Sequence, residues 1–283
     1  MKILMESRQR NLQKMQEIQL FKTFQAQFNE LDTYLIAINA LHPDWIKEIM
    51  QEYNKILIEK MNHAQNITVY KMQQFDQSNW KIIHKFEKKI EQLQRTMLTF
   101  LGFEHSTLQS KEELQINDMI EVTFSNYVQF GYFHVYYVFQ AISNLKGNVV
   151  AHNLAKRIAK DFYSKPRTNR KKFEDLSEYM KWLGSNCLKT HDFKIANLED
   201  GRICMKVEEC MWGEALKGVE DPELMYYFIC YGDFFSTPDY NENFVLTRKK
   251  TILQNDGICD FCYHYKNNSK KLIHPEESFW KSL

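Results

Sequence analysis

Neither sign of charge dominates this chain: 37 Lys and Arg stand against 36 Asp and Glu, a formal net charge of +1 over 283 residues. Such balance gives no general attraction to nucleic acid or to an anionic membrane. Basic residues gather in "KPRTNRKK" (165–172), but the run is short and reads as a solvated linker. No apolar run reaches the ~20 residues of a membrane span. The densest, "YVQFGYFHVYYVFQAI" (127–142), is interrupted by Gln129, His134 and Gln140 and reads as a buried core helix. The opening "MKILMESRQR" turns polar too soon for a secretory leader. The six cysteines are therefore expected as reduced thiols in the cytoplasm. On the same ground the acceptor-like triplets "NIT" (66–68) and "NNS" (267–269) are chance matches. There is no internal repeat.

What is present favours a folded globule. Apolar residues make up 44%, with 20 Phe and 15 Tyr, enough to build one large domain or two small ones. The first half carries helical stripes. Leu20, Phe21, Phe24, Phe28, Leu31 and Leu35 recur at spacings of three and four. Pro43 breaks that pattern and suits a new helix start. A second stripe begins at Trp45, and a third runs from Ile82 to Met97 with a stop near Gly102. A fourth helix is expected over 116–145, the most buried element, and a fifth over 149–163.

After Phe173 the periodicity changes. "KFEDLSEYMKWLG" reads as a short helix ending near Gly184. "HDFKIA" and "RICMKV" flank the turn signal "NLEDG" and predict a hairpin, with Ile203, Met205 and Val207 on its buried face. Asp221, Pro222 and Glu223 open a helix as cap, first residue and dipole partner. "NFVLTRKKTIL" and "CDFCYHY" read as strands joined through "QNDG". The expected class is α+β: a helical N-terminal half packed on a small antiparallel sheet with helices in the C-terminal half. The expected division is a helical extension over 1–105 and an α+β domain over 106–283.

Several residues carry chemistry. Three positions apart in a helix, Cys230 and Asp233 share a face, so a thiol would stand beside a proton acceptor. A carboxylate alone raises a thiol's pKa, so such a site needs a cation, which Arg248 can supply. A thiol inside "YYFICYGDFF" also reads as an ordinary core residue. "CDFC" suggests zinc or redox chemistry, but Cys204 and Cys210 make a poor second pair for a metal. In a strand, Cys259 and Phe261 face one way and Asp260 and Cys262 the other, so one ion cannot take both thiols. Neither a metal nor another cofactor is expected. "EEC" places Glu208 and Glu209 before Cys210, as solvated acids opening a short helix. Arg248 is either a surface strand residue or a two-pronged partner for a carboxylate. His191 and His264 stand isolated and read as structural.

The order of these residues is more informative than any one of them. "VEEC…DPELMYYFICYGDFF…FVLTRKKTILQNDGICDFCYHY" resembles the L-2-amino-thiazoline-4-carboxylic acid hydrolase family, well over 207–265 and loosely from Ile116. The family pattern of Glu-Cys, Cys-x-x-Asp, an Arg-Thr-x-Thr-Leu strand and a closing Cys-Asp-Phe-Arg falls here on Glu209–Cys210, on Cys230 to Asp233, on Arg248 onward and on Cys259 to Phe261. Lys249 replaces the first Thr, and Cys262 stands where the family has Arg. The resemblance implies a hydrolase opening a small carboxylate-bearing heterocycle, thiazoline-like, by C–N cleavage. Cys230, Cys259 or Cys210 would attack, Asp233 or Asp260 would move the proton, and Arg248 and Glu209 would bind the substrate. The close "GICDF" also looks like that of small ligand-binding domains of the vinyl-reductase type, which implies a binding or sensor module without turnover. The helical N-terminal region, outside the resemblance, fits a partner surface, a second copy of the chain included, or a lid.

Overall fold

The computed structural model describes residues 1–8, 10–11, 15–60, 68–101, 114–165, 167, 169–268 and 272–283. The expected boundary at 105/106, the stop at Gly102, Asn66 and Ile67 of the first acceptor triplet and Ser269 of the second lie outside these residues. The class is α+β, as the sequence predicts. Two compact units form: Gln13–Ile158, and Met1–Leu12 together with Ala159–Leu283.

Strands interrupt the first half where only helices are expected. β1 (Lys2–Ser7) belongs to the sheet of the second unit. β2 (Met15–Gln19) pairs antiparallel with β3 (Met119–Thr123). In β3 the buried Ile120 and Val122 alternate with the exposed Met119 and Glu121. That period of two belongs to a strand, and it removes 119–123 from the helix expected over 116–145.

The helices of this unit follow their stripes. α1 (Leu20–Leu41) buries Leu20, Phe24, Phe28, Leu31 and Leu35. A 3-10 turn at Pro43–Trp45 leads into α2 (Ile46–Lys60). α3 (Glu87–Phe100) starts later than its stripe. Ile82 and Ile83 sit at a preceding 3-10 turn, held by buried Asp32, whose carboxylate accepts from the amides of Lys81 (2.8 Å), Ile82 (2.9 Å) and Ile83 (2.7 Å). α4 (Phe124–Lys146) starts where Thr123 caps it by accepting from the Asn126 amide at 3.2 Å. Between 127 and 142 no residue of α4 is exposed. The unit division falls within α5 (Asn148–Tyr163).

In the second unit, α6 (Leu176–Cys187) is capped by Asp175 and runs past Gly184. That glycine does not stop the helix. It is buried, and a Cβ there would lie 2.7 Å from Met5 Sδ and 2.8 Å from Ile195 Cδ1, so its smallness lets α6 sit close on the sheet. β4 (His191–Asn197), β5 (Ile203–Cys210), β6 (Phe244–Thr247) and β7 (Cys259–Tyr265) join β1 in the order β1-β4-β5-β7-β6, every pairing antiparallel. The β4–β5 hairpin is as expected, with Ile203, Met205 and Val207 buried. Between β5 and β6 lie α7 (Met211–Ala215), α8 (Pro222–Ile229) and α9 (Asp233–Tyr240), and α10 (Glu277–Ser282) follows β7. Two apolar clusters pack on opposite faces of the sheet. One joins Tyr179 and Met180 of α6 and Tyr240 of α9 to Phe193, Met205, Leu246 and Cys259. The other joins Trp280 of α10 to Ala196, Cys204 and Cys262.

Candidate functional site

Cys230 and Asp233 do not share a helix. α8 ends at Ile229, Cys230 is its C-cap, and Asp233 opens α9. Gly232, helical in its backbone just ahead of α9, packs close on Tyr163: a Cβ there would lie 2.9 Å from the ring, whose hydroxyl donates to the Phe228 carbonyl at 2.5 Å. Arg248 does not lie in a strand either, because β6 stops at Thr247. Leaving the ladder frees its side chain to reach back across both short helices.

That side chain organises the site. Arg248 Nη1 donates to Asp233 Oδ2 at 2.6 Å, and Nη2 donates to the Cys230 carbonyl at 2.8 Å and to the Tyr226 hydroxyl at 3.4 Å. The rings of Phe261, Phe234 and Tyr226 enclose the guanidinium with centroids at 4.8, 5.0 and 5.5 Å. The Arg248 side chain is 1% exposed, whereas Asp233 keeps 41% of its side-chain surface accessible. The fork expected to hold a substrate carboxylate is thus already engaged, chiefly by Asp233. Burial pushes the Asp233 pKa up, and Arg248 pulls it back part of the way.

Thiols surround this pair. Cys187, Cys210, Cys230 and Cys259 all lie close enough to Asp233 to feel its charge. Burial raises all four pKa values, those of Cys187 and Cys259 to about 12. Cys259 Sγ accepts the Ile252 amide at 3.3 Å, and Arg248 pulls Cys230 down against its burial. Of these four, Cys210 has the most influences that favour a thiolate. The backbone amides of Gly213 and Trp212 and the charge of Arg10 all oppose its burial.

Cys210 also has a neighbour that reading the sequence missed. His191 lies directly opposite it in the β4–β5 ladder. Counting pairs outward from the hairpin turn would set His191 against Glu209. A bulge between Asp192 and Phe193 shifts the register by one and brings Cys210 opposite instead. Burial lowers the His191 pKa to about 4, so the imidazole is neutral. Its Nδ1 lies 3.0 Å from Thr190 Oγ1, and its ring stacks on Trp212 at 5.3 Å.

Glu208, Glu209 and Cys210 end β5, and Cys210 is also the N-cap of the short helix α7, so the two acids stand in the strand just ahead of that helix. Glu209 is exposed, ion-pairs with Arg10, and lines with Cys210, Leu216, Pro222 and Ile252 a cavity of about 580 Å³. That volume suits a small molecule. Asp260 is not brought to Cys230. It lies on the far face of β7, accepting from the amides of Lys249 (2.8 Å) and Lys250 (2.7 Å), with His274 Nε2 at 2.9 Å. Burial acts to raise its pKa, but these partners outweigh it and the net shift is downward. As expected, Cys259 and Cys262 fall on opposite faces. Among the described residues no group of three or more His, Cys, Asp and Glu could hold a metal, and no helix is long and apolar enough to cross a membrane.

With the geometry in place, comparison with known proteins adds a class. Residues 135–263 match the family described as L-2-amino-thiazoline-4-carboxylic acid hydrolase. The matched span includes Cys187, Cys210, Cys230, Asp233, Arg248 and Cys259, so the chain resembles a hydrolase family over the part that carries this site. No curated protein and no solved structure matches the chain.

Proposed function

We propose that the chain is a hydrolase that opens a small heterocycle bearing a carboxylate, by C–N cleavage at an amidine-like ring carbon. The observation that carries this reading is the set of thiols around an accessible, arginine-paired carboxylate, inside the segment that matches a hydrolase family.

Cys210 is the nucleophile of choice, because it lines a cavity, faces amide donors and has neutral His191 opposite. The Cys210 proton passes to His191 as the S–C bond forms, and the ring nitrogen takes the π electrons of the C=N bond. His191 returns its proton to that nitrogen. The exocyclic nitrogen's lone pair then forms a new C=N bond and gives up a proton to the ring nitrogen, whose bond to the ring carbon breaks so that it leaves as an amine. Water then displaces Cys210 and regenerates the thiol. Asp233 carries protons beside the thiols, and Arg248 holds it in place. Glu209 sits at the cavity rim, where it can meet an amino group on the substrate.

The test is a screen of thiazoline, hydantoin and related ring acids, with products identified by mass spectrometry. Ring opening that releases an amine supports the proposal. Release of a free thiol in its place means that C–S breaks and overturns the C–N assignment. Tight binding of a ring acid without turnover favours the binding-module reading, for which the protonated state of all four thiols speaks.

A further inference from the structure

The far face of the sheet holds two cysteines that the hydrolase reading does not use. Cys204 of β5 and Cys262 of β7 are directly opposed in the antiparallel ladder. Their sulfurs lie 3.1 Å apart, with Cys204 the donor, and both residues are 0% exposed. Both are free thiols. Directly opposed residues in an antiparallel pair have Cα separations of about 4.5–5.5 Å, inside the range a disulfide spans. Closing the bond needs the sulfurs to approach by about 1 Å, to the ~2.05 Å of an S–S bond.

The surroundings are polar on one side only. Thr247 Oγ1 contacts His264 Nε2 at 2.8 Å and His274 Nδ1 at 3.1 Å, and His274 passes the chain on to Asp260. This run of hydrogen-bonding groups ends beside Cys262. The hydrogen bond from Cys204 is the largest influence lowering the Cys262 pKa, burial opposes it, and a hydrogen bond from His264 and the charge of Arg202 lower it further. It is the one cysteine whose pKa moves down, while that of Cys204 moves up. One thiol of the pair is therefore poised to attack and the other to resolve.

We propose that Cys204 and Cys262 are a redox-active pair that closes to a disulfide when a hydroperoxide reaches the sheet. The Cys262 thiolate attacks one peroxide oxygen, so that an S–O bond forms and the O–O bond breaks. The hydroxide that leaves takes up the proton Cys262 had lost and departs as water. Cys204 then attacks the sulfenic sulfur. The S–S bond forms, the S–O bond breaks, and the hydroxyl leaves with the Cys204 proton as a second water. Two thiols lose two electrons, and one peroxide gains them. The bond ties together residues 58 positions apart in β5 and β7, so the oxidised sheet resists unfolding more than the reduced one.

The experiment treats the reduced full chain with a small excess of hydrogen peroxide under native conditions, then quenches and denatures it. The expected result is a fall from six free thiols to four, a mass loss of two hydrogen atoms, a peptide link between Cys204 and Cys262, and a higher melting temperature that dithiothreitol reverses. In Cys204→Ser a hydroxyl keeps a donor beside Cys262 but the sulfenic acid has no resolving thiol, and dimedone should label Cys262 alone. If that variant does not fold, the peptide map of the unaltered chain decides. Retention of all six thiols, or a link that joins other cysteines, overturns the proposal.

Discussion

On each face of the sheet a cysteine of β7 lies near an aspartate, Cys259 near Asp233 of α9 and Cys262 near Asp260 of β7 itself, and the two faces treat these groups oppositely. Cys259 and Phe261 turn toward the Arg248–Asp233 pair, where burial holds thiols protonated and raises the aspartate. Asp260 and Cys262 turn toward His264 and His274, where hydrogen-bond donors lower both. Desolvation acts on both faces. What differs is the supply of donors to the charged form. Asp233 receives one buried guanidinium shared with Tyr226 and a backbone carbonyl, whereas Asp260 receives two amides and an imidazole. For these two aspartates the donors decide the direction: three offset the burial of Asp260, whereas the shared guanidinium does not offset that of Asp233.

The largest expected effect separates the faces by function. Cys210→Ser should lower ring-opening turnover by at least about 10²-fold, since thiol attack and positioned proton transfer are lost together. Cys262→Ser, on the far face, should leave kcat within a few-fold of the parent. Equal losses in both variants would dissolve the distinction.

Next in size is the ion pair. Asp233→Asn leaves the enclosed Arg248 guanidinium without its counter-charge. Because Asp233 keeps part of its surface in water, the cost should fall at or below the lower end of the ~3–5 kcal/mol expected on breaking a buried pair. Urea unfolding measures it. Arg248→Lys should also destabilise, because a point charge cannot reproduce three hydrogen bonds and a stack among three rings.

The two aspartates should titrate on opposite sides of the ordinary value of 3.8. Asp260, depressed in the folded state, contributes stability above pH 3.8 that is lost as pH falls through its lower folded pKa. Asp233, raised, contributes stability below pH 3.8 that is lost as pH rises through its higher folded pKa. Carboxyl NMR titrations of the folded chain, assigned with Asp233→Asn and Asp260→Asn, give the order directly. Asp233 titrating below Asp260 would contradict it.

The smallest effect concerns the close packing of Gly232, ahead of α9, on Tyr163. Gly232→Ala forces a methyl group against the Tyr163 ring and should cost about 1–3 kcal/mol. A neutral substitution would mean that the ring moves aside freely.

Much of this was legible in the sequence, because period and turn chemistry are local. The helices around Phe24, Tyr53 and Val138, the Asp221 cap, the β4–β5 hairpin and the face split of Cys259 from Cys262 all follow from spacing. The strands at 2–7 and 15–19 were hidden because each is short and finds its partner far along the chain. Cys230 and Asp233 looked like one helix face because nothing in the local spacing shows that α8 ends at Ile229 and a new helix starts at Asp233. His191 stayed invisible for a sharper reason: a single bulged residue decides whether it meets Glu209 or Cys210.

The most direct test of the account is to trap the reaction in progress. The full chain is mixed with a ring acid that it opens, quenched in acid within the turnover time, and digested for mass spectrometry. A substrate-derived adduct on Cys210, absent in Cys210→Ser, is the predicted result. Unimpaired turnover in Cys210→Ser, with the adduct on another residue or on none, would contradict thiol catalysis at this site.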